Sequence, residues 1–314
     1  MRSNLLITGG LGYVGSFTAK NYLKKTKKKS LVIDNLSRGN IFAKKYSNSK
    51  IFDVSNKNVK KIIDNNKINT ILHLASYTCV RESIKNKSRY LKNFRSQINF
   101  IKNIKDSHVK YFIFSSSLSV FDKNKFKKNL APYSMYKLRI EKYLKKISSK
   151  NFKIIVLRYP NIIGSDPKGT LGEKNNFISR IVPLFYRNII RKKKNILYYD
   201  HKDKVYPSRN YMHVEDIARI NLKVISNIRK FKNNYQIFNI MNKKEYTNFE
   251  VMNFLSKILK IKPTFELRKI DKKESINQLF KSRDDIFKII KYKPKYTNLK
   301  KILKTNVKWF KKIY

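Results

Sequence analysis

The chain has 314 residues, and its 73 Lys and Arg against 20 Asp and Glu give a formal net charge of +53. That length can bury a sizeable core and form one large domain or two closely joined ones. A single cysteine, Cys79, excludes an internal disulfide and a cysteine-rich metal site, and the four histidines (His73, His108, His201 and His213) lack ligand spacing.

No long apolar span is present and the first strand pattern begins almost at Met1, so a cytoplasmic protein without a membrane span or leader is expected. The lysines are scattered rather than gathered into one stripe with stacking aromatics. Lys, Asn, Ile, Tyr and Phe are abundant while Gly and Pro are scarce, and the abundant five use codons rich in A and T. A genomic nucleotide bias therefore accounts for the charge without a specific nucleic-acid partner. Loose, salt-sensitive association with polyanions remains expected.

The first apolar run, residues 5–8, opens into Gly9-Gly10-Leu11-Gly12-Tyr13-Val14-Gly15, where four of the chain's 8 glycines fall. Such crowding signals a turn with positive φ or close approach to a ligand. A strand, a glycine turn and then a helix present unpaired N–H groups and a positive dipole end, which suits a pyrophosphate. The next apolar run, 31–34, ends in Asp34, nineteen residues after Gly15. A carboxylate there accepts the hydroxyls of an adenosine ribose and repels a 2′-phosphate, so NAD is favoured over NADP. Arg38, four residues on, is the one contrary sign.

Further short strands are expected at 50–53, 70–75, 111–115 and 153–158, with helical patterns at 88–105 and 133–147 between them. The alternation predicts an α/β protein: a Rossmann-type, doubly wound parallel sheet that places ligands at the strands' carboxyl ends. Gly9, Asp34, Asp53, Ala75, Ser115 to Ser117 and Tyr159 to Asn161 all fall at such ends. After Arg158 the pattern loosens around Pro160, Gly164, Pro167, Gly169 and Gly172, where a smaller C-terminal substrate-binding α/β domain should begin. The expected division is 1–160 for NAD and mainly 161–314 for substrate, with segments of about 205–240 returning to the first sheet. A later strand is expected at 237–240 and an amphipathic helix at 248–259.

Tyr133 and Lys137 lie four apart at the start of a helical pattern, and so on one face. A cation beside a phenol favours phenolate, which lowers the tyrosine towards neutrality and lets it take a proton from an alcohol. With 20 tyrosines and 73 basic residues, Tyr-x-x-x-Lys also arises by chance. The run Ser115-Ser116-Ser117, ending a buried strand where the nicotinamide should lie, gives the pair a context.

With these features in this order, the chain resembles the extended short-chain dehydrogenase/reductase family, nearest its UDP-sugar 4-epimerase branch. The resemblance rests on the glycine turn, Asp34-Asn35-Leu36-Ser37, Phe112 to Ser117 and Leu157-Arg158-Tyr159-Pro160-Asn161. It continues through Gly169-Thr170-Leu171-Gly172-Glu173, Arg209 to Asp216 and Arg268-Lys269-Ile270-Asp271. It implies a tightly held NAD, a UDP-hexose substrate, a homodimer, and inversion at C4 by transient oxidation to a 4-keto sugar. Tyr133 would move the proton, Ser117 would hold the oxygen, and Lys137 would hold the nicotinamide ribose. The implied cofactor contacts are Gly9, Gly12, Tyr13, Val14, Gly15, Asp34, Asn35, Asp53, Val54, Leu74, Ala75, Ser115, Tyr133, Lys137 and Tyr159. The implied substrate contacts are Ser117, Tyr133, Asn161, Arg180, Arg209, Arg268 and Asp271, with arginines suited to a diphosphate.

The chain departs from the family at Val120-Phe121-Asp122, in a shortened segment before Tyr133, at Asn93-Phe94-Arg95, and at Thr78 where a lysine is usual. No acid pair for removing water follows Ser117, which favours epimerisation. Ser275, small and four beyond Asp271, implies room for an N-acetyl group at the sugar's 2-position. Two alternatives stay open: a related enzyme acting on UDP-glucuronate or a deoxysugar, and a non-catalytic basic RNA- or membrane-binding protein on the same fold.

Overall fold

The structure, a computed structural model, describes residues 4–120, 130–173, 180–199, 206–269 and 285–314. His201, Phe121, Asp122, Asp271 and Ser275 lie outside the described residues, as does most of the segment before Tyr133.

Strands β1 (Leu5–Thr8), β2 (Ser30–Asp34), β3 (Ser47–Ile51), β4 (Thr70–His73), β5 (Tyr111–Ser117) and β6 (Lys153–Tyr159) come first. They are followed by β7 (Asn161–Ile163), β8 (Asn195–Tyr199), β9 (Ser208–His213), β10 (Tyr235–Asn239), β11 (Glu245–Thr247) and β12 (Phe265–Lys269). The helices are α1 (Tyr13–Thr26), α2 (Asn58–Asn65), α3 (Val80–Lys85), α4 (Lys87–Lys105) and α5 (Pro132–Ile147). After them come α6 (Ile181–Ile190), α7 (Val214–Ser226), α8 (Asn248–Leu259), α9 (Asp285–Ile289) and α10 (Leu299–Ile313).

Seven strands form one parallel sheet in the order β10-β6-β5-β4-β1-β2-β3. Its central strands are apolar on both sides because helices cover both faces. Ile7, Val32, Leu72, Ile113 and Ile155 cluster with Ile217, Ile220 and Val224 of α7. The alternate residues Leu6, Ile33, Ile71, Phe112 and Phe114 pack on Val59 and Ile63 of α2, Phe100 and Ile104 of α4, and Ile140 and Leu144 of α5. The strand order reverses between β1 and β4, which opens a crevice at their carboxyl ends.

One boundary differs from its expectation in a way that matters. The strand expected at 50–53 runs Ser47–Ile51, pairing residue for residue with Ser30–Asp34. It is an edge strand with mostly exposed polar side chains, so backbone pairing sets its register and the apolar Ile51-Phe52 pair does not. Asp53 therefore stands in the turn beyond it. In contrast, β5 and β6 run further than expected, which makes Ser117 and Tyr159 their last residues.

The remaining strands pair as β11-β9-β7 and as β12-β8. Between 205 and 240, β10 enters the large sheet beside β6, while β9 joins the three-stranded one. Phe185, Leu197, Tyr211, Leu255, Leu303 and Phe310, from α6, β8, β9, α8 and α10, build a separate core. No helix among the described residues is long and apolar enough to cross a membrane.

Candidate active site at the carboxyl ends of the parallel strands

The glycine turn packs too closely for side chains. Gly9 has φ +67, and a Cβ on it would stand 2.7 Å from the Ala75 backbone nitrogen. A Cβ on Gly15 would stand 2.2 Å from the Gly9 carbonyl oxygen. This draws the end of β1 against Leu74 and Ala75 after β4, across the crevice. Gly12 is the N-cap of α1 and no side chain caps that end, which leaves its first-turn N–H groups for an anionic ligand. Tyr13 donates its hydroxyl to the Gly164 carbonyl, and Val14 packs into the core beside α7.

Asp34 is buried to 6% exposure. Its carboxylate accepts the Leu11 amide at 2.9 Å and the Leu36 amide at 2.8 Å. Burial pushes this acid up, and the backbone N–H groups of Leu36, Leu11 and Gly12 draw it back. Asn35 donates to Asp53 at 2.8 Å, and Ser96 donates to the other Asp53 oxygen at 2.5 Å. Burial raises Asp53, but these and the Ser55 bonds outweigh it, so the carboxylate lies below its usual range. Val54 is buried in the core next to it. Arg38 donates to both oxygens of Glu82, at 2.5 and 2.7 Å. Its charge is thus paired rather than directed at a ribose phosphate. These residues fit a dinucleotide: a backbone cradle, a helix N-terminus without a capping side chain, and a carboxylate one strand away.

The second half of the site lies at the end of β5. Pro132 occupies the first turn of α5, where a missing N–H costs nothing. Tyr133, Lys137 and Glu141 then recur every four residues on one buried stripe. The Ser117 hydroxyl hydrogen-bonds Tyr133 and accepts the Ser119 amide at 3.1 Å. Lys137 Nζ donates to the Ser115 carbonyl at 2.8 Å and lies 4.6 Å from the centre of the Phe114 ring. Burial lowers Lys137 to about 7, against the opposing charge of Glu141.

The expectation that Lys137 would bring Tyr133 towards neutrality is not met in this arrangement. Burial raises the Tyr133 phenol above its ordinary value, and the opposing influences are the Ser117 hydrogen bond and the Arg180 charge. Four-residue spacing put Lys137 on the right face, but its ammonium is engaged by the Ser115 carbonyl.

Tyr159 and Asn161 flank the end of β6. The Tyr159 hydroxyl donates to Asn221 of α7 at 2.6 Å, so this phenol is committed within the core. Asn161 faces Tyr211 across the β7-β9 ladder, near Arg209 on the same strand. Arg209 donates to the Ser208 carbonyl at 2.7 Å. Arg180 joins from just ahead of α6, with Nε 3.1 Å from Glu173 and Nη2 donating to Thr78 Oγ1 at 2.8 Å. Arg268 stands apart, exposed on β12 with Glu266 at 2.8 Å. In this arrangement it is paired locally on the surface strand.

Several buried polar groups were not anticipated. Glu141 accepts Arg158 at 2.9 and 2.5 Å and Ser116 at 2.5 Å, anchoring the stripe beneath Lys137. The spacing Tyr133, Lys137, Glu141 was its available signal. His73 bonds Thr8 Oγ1 through Nδ1 at 2.7 Å, and burial with the Lys137 charge lowers it to about 3, so it is neutral. Glu173, which ends the Gly169 to Glu173 stretch but had no role assigned, holds Arg180, and Glu82, which carried no pattern of its own, holds Arg38.

Comparison with known proteins agrees with this layout. A UDP-glucose 4-epimerase of Lactobacillus helveticus is 26% identical over 98% of this chain and 97% of its own. The UDP-Glc/GlcNAc 4-epimerase of Campylobacter jejuni superposes with a TM-score of 0.80 at 26% identity, covering 98% of this chain and 99% of that one. The UDP-glucose 4-epimerase of Bifidobacterium longum, solved in complex with NAD+ and UDP, gives a TM-score of 0.88 at 22% identity over 98% of both chains. The family model described as the NAD dependent epimerase/dehydratase family matches residues 5–240. With sheet order, glycine turn and a match over most of the length in agreement, the chain belongs to the NAD-dependent epimerase/dehydratase family.

Proposed function

We propose that this protein interconverts the C4 epimers of a UDP-hexose, UDP-glucose and UDP-galactose first among them. The observation that carries this reading is the Ser117–Tyr133 hydrogen bond, with Lys137 one turn further along α5 on the Ser115 carbonyl, beside the crevice at the strand-order reversal. Residues 1–160 would carry the dinucleotide and most of 161–314 the sugar nucleotide.

The chemistry that NAD would supply when bound is reversible hydride transfer at the sugar carbon. Gly9 to Gly15 and the start of α1 would hold its pyrophosphate, and Asp34 the adenosine ribose. Tyr133 would take the proton of the sugar 4-hydroxyl as phenolate and return it as phenol. Ser117 keeps a hydroxyl on the same oxygen, and Lys137 Nζ, held on the Ser115 carbonyl, stands ready for a ribose hydroxyl. Asn161 on β7 and Arg209 on β9 lie on neighbouring paired strands, a placement that suits a diphosphate-linked sugar.

Incubating purified protein with a panel of UDP-sugars and separating the products tests the reading. A C4 isomer of UDP-glucose or UDP-galactose is expected; a dehydrated or decarboxylated product would move the chain to another branch of its family. Ser275 carries the further expectation that UDP-N-acetylglucosamine is also turned over, and turnover of UDP-glucose alone would remove it. A homodimer is the assembly this reading implies. Sedimentation at working concentration would discard that point if it returned the mass of one chain.

A further inference from the structure

One carboxylate and two guanidiniums meet beside the crevice, on residues to which the proposed chemistry gives no part. Arg38 lies in the loop after β2, in the stretch that begins with Asp34. That loop folds back over the glycine turn: Asn40 donates its amide to the Leu11 carbonyl at 2.9 Å. A Cβ on Gly39 would stand 3.0 Å from the Asp34 carboxylate, so the chain next to Arg38 lies on the acid itself. From there Arg38 Nη2 reaches Glu82 of α3, at 2.5 and 2.7 Å from its two oxygens. Because β1 lies between β2 and β4, this pair joins the two segments that flank the glycine turn. Arg89 donates to the same carboxylate at 3.1 Å, and the Tyr90 hydroxyl does so at 3.2 Å. Both guanidiniums also lie against the Tyr77 ring, Arg89 at 4.3 Å and Arg38 at 5.8 Å from its centre. These contacts leave the Glu82 side chain 15% exposed.

We propose that Glu82 determines cofactor specificity: by holding Arg38 it denies that guanidinium to a ribose 2′-phosphate and keeps the site for NAD rather than NADP. The inference rests on the placement of the adenosine ribose at Asp34. In dinucleotide folds an arginine near that acid accommodates a 2′-phosphate, and Arg38 has both the place and the planar fork. Asp34 repels such a phosphate, yet two guanidiniums stand close by on the same side of the site. Glu82 is the carboxylate that they share. A 2′-phosphate entering here therefore meets two acids, and an arginine already engaged by one of them. Neutralising Glu82 removes that competitor. The charge of Arg38 and Arg89, still held against the Tyr77 ring, is then available to the phosphate.

The test titrates the full chain, freed of bound nucleotide, with NADH and with NADPH, and reads binding by fluorescence. Glu82→Gln should bind NADPH about tenfold more tightly than the parent, with NADH changed by less than about threefold. Glu82→Ala serves as a second variant with the same expectation. In the double variant Arg38→Met, Glu82→Gln the gain should vanish, which assigns it to Arg38. A merely structural role for Glu82 predicts weaker binding of both nucleotides, so a gain for one of them separates the two cases. Circular dichroism confirms that the variants are folded. NADPH affinity unchanged or weakened in both Glu82 variants would overturn the proposal, as would a gain that survives the loss of Arg38. NADH binding unmoved in Asp34→Ala would instead defeat the ribose placement on which the proposal rests.

Discussion

At the scale of single residues, the account depends on contacts without slack. A methyl group on Gly15 has no room, since the nearest oxygen would lie 2.2 Å away. Gly15→Ala must therefore push α1 away from the turn that would hold the pyrophosphate. NADH fluorescence titration should show binding weakened by more than about tenfold, in line with the usual cost of a forced backbone shift. Binding equal to the parent would show that the turn yields easily. Lys137 gives a second test. Burial brings it from 10.5 to about 7, so the unfolded chain holds this proton where the folded one has lost it. Stability contributed by this group is present above pH 10.5 and is lost as pH falls through about 7. Melting the cofactor-free protein should then favour Lys137→Met over the parent more strongly below pH 7 than above pH 10.5. A constant difference between the two proteins would contradict it.

At the scale of elements, apolar buried strands were legible and the polar edge strand was not. The apolar runs of β1, β2, β4 and β5 announce themselves because both faces are covered. β3 misled because edge pairing, with little side-chain burial, defines it. The Tyr133–Lys137 pair could be read from helical spacing, but where the ammonium points depends on Ser115 across 22 positions. Arg180 and Glu173 met through folding of a glycine turn onto Trp309, which no local pattern encodes. The stretch from Arg209 to Asp216 also does more than its motif suggested. Asp216, at the start of α7, accepts the Tyr292 hydroxyl at 2.5 Å and the Lys295 and Tyr296 amides at 2.9 Å each. It ties the segment ahead of α10 to the large sheet's own helix. Asp216→Ala leaves those donors without their acceptor, so chemical denaturation should show a loss of about 3 kcal/mol. A loss within about 0.5 kcal/mol, as for an ordinary surface change, would contradict this role.

For the whole molecule, 73 basic residues against 20 acidic ones make self-repulsion the dominant long-range force. Added salt should raise the melting temperature and at the same time abolish binding to unrelated RNA, since both effects follow from screening. RNA binding that persisted at about 1 M salt would point to a selected nucleic-acid site. Yet the charge leaves the architecture untouched: a parallel sheet, a crevice at its strand-order reversal, and a phenol beside it. Everything proposed for function follows from that phenol acting as the proton carrier at C4 of a UDP-hexose. The most direct measurement is C4 interconversion of UDP-galactose by Tyr133→Phe, with NAD content assayed in the same sample. The account predicts retained NAD and turnover lower by about 10²–10⁴-fold, the usual contribution of a positioned acid–base. Turnover equal to the parent's, with NAD still bound, would contradict it.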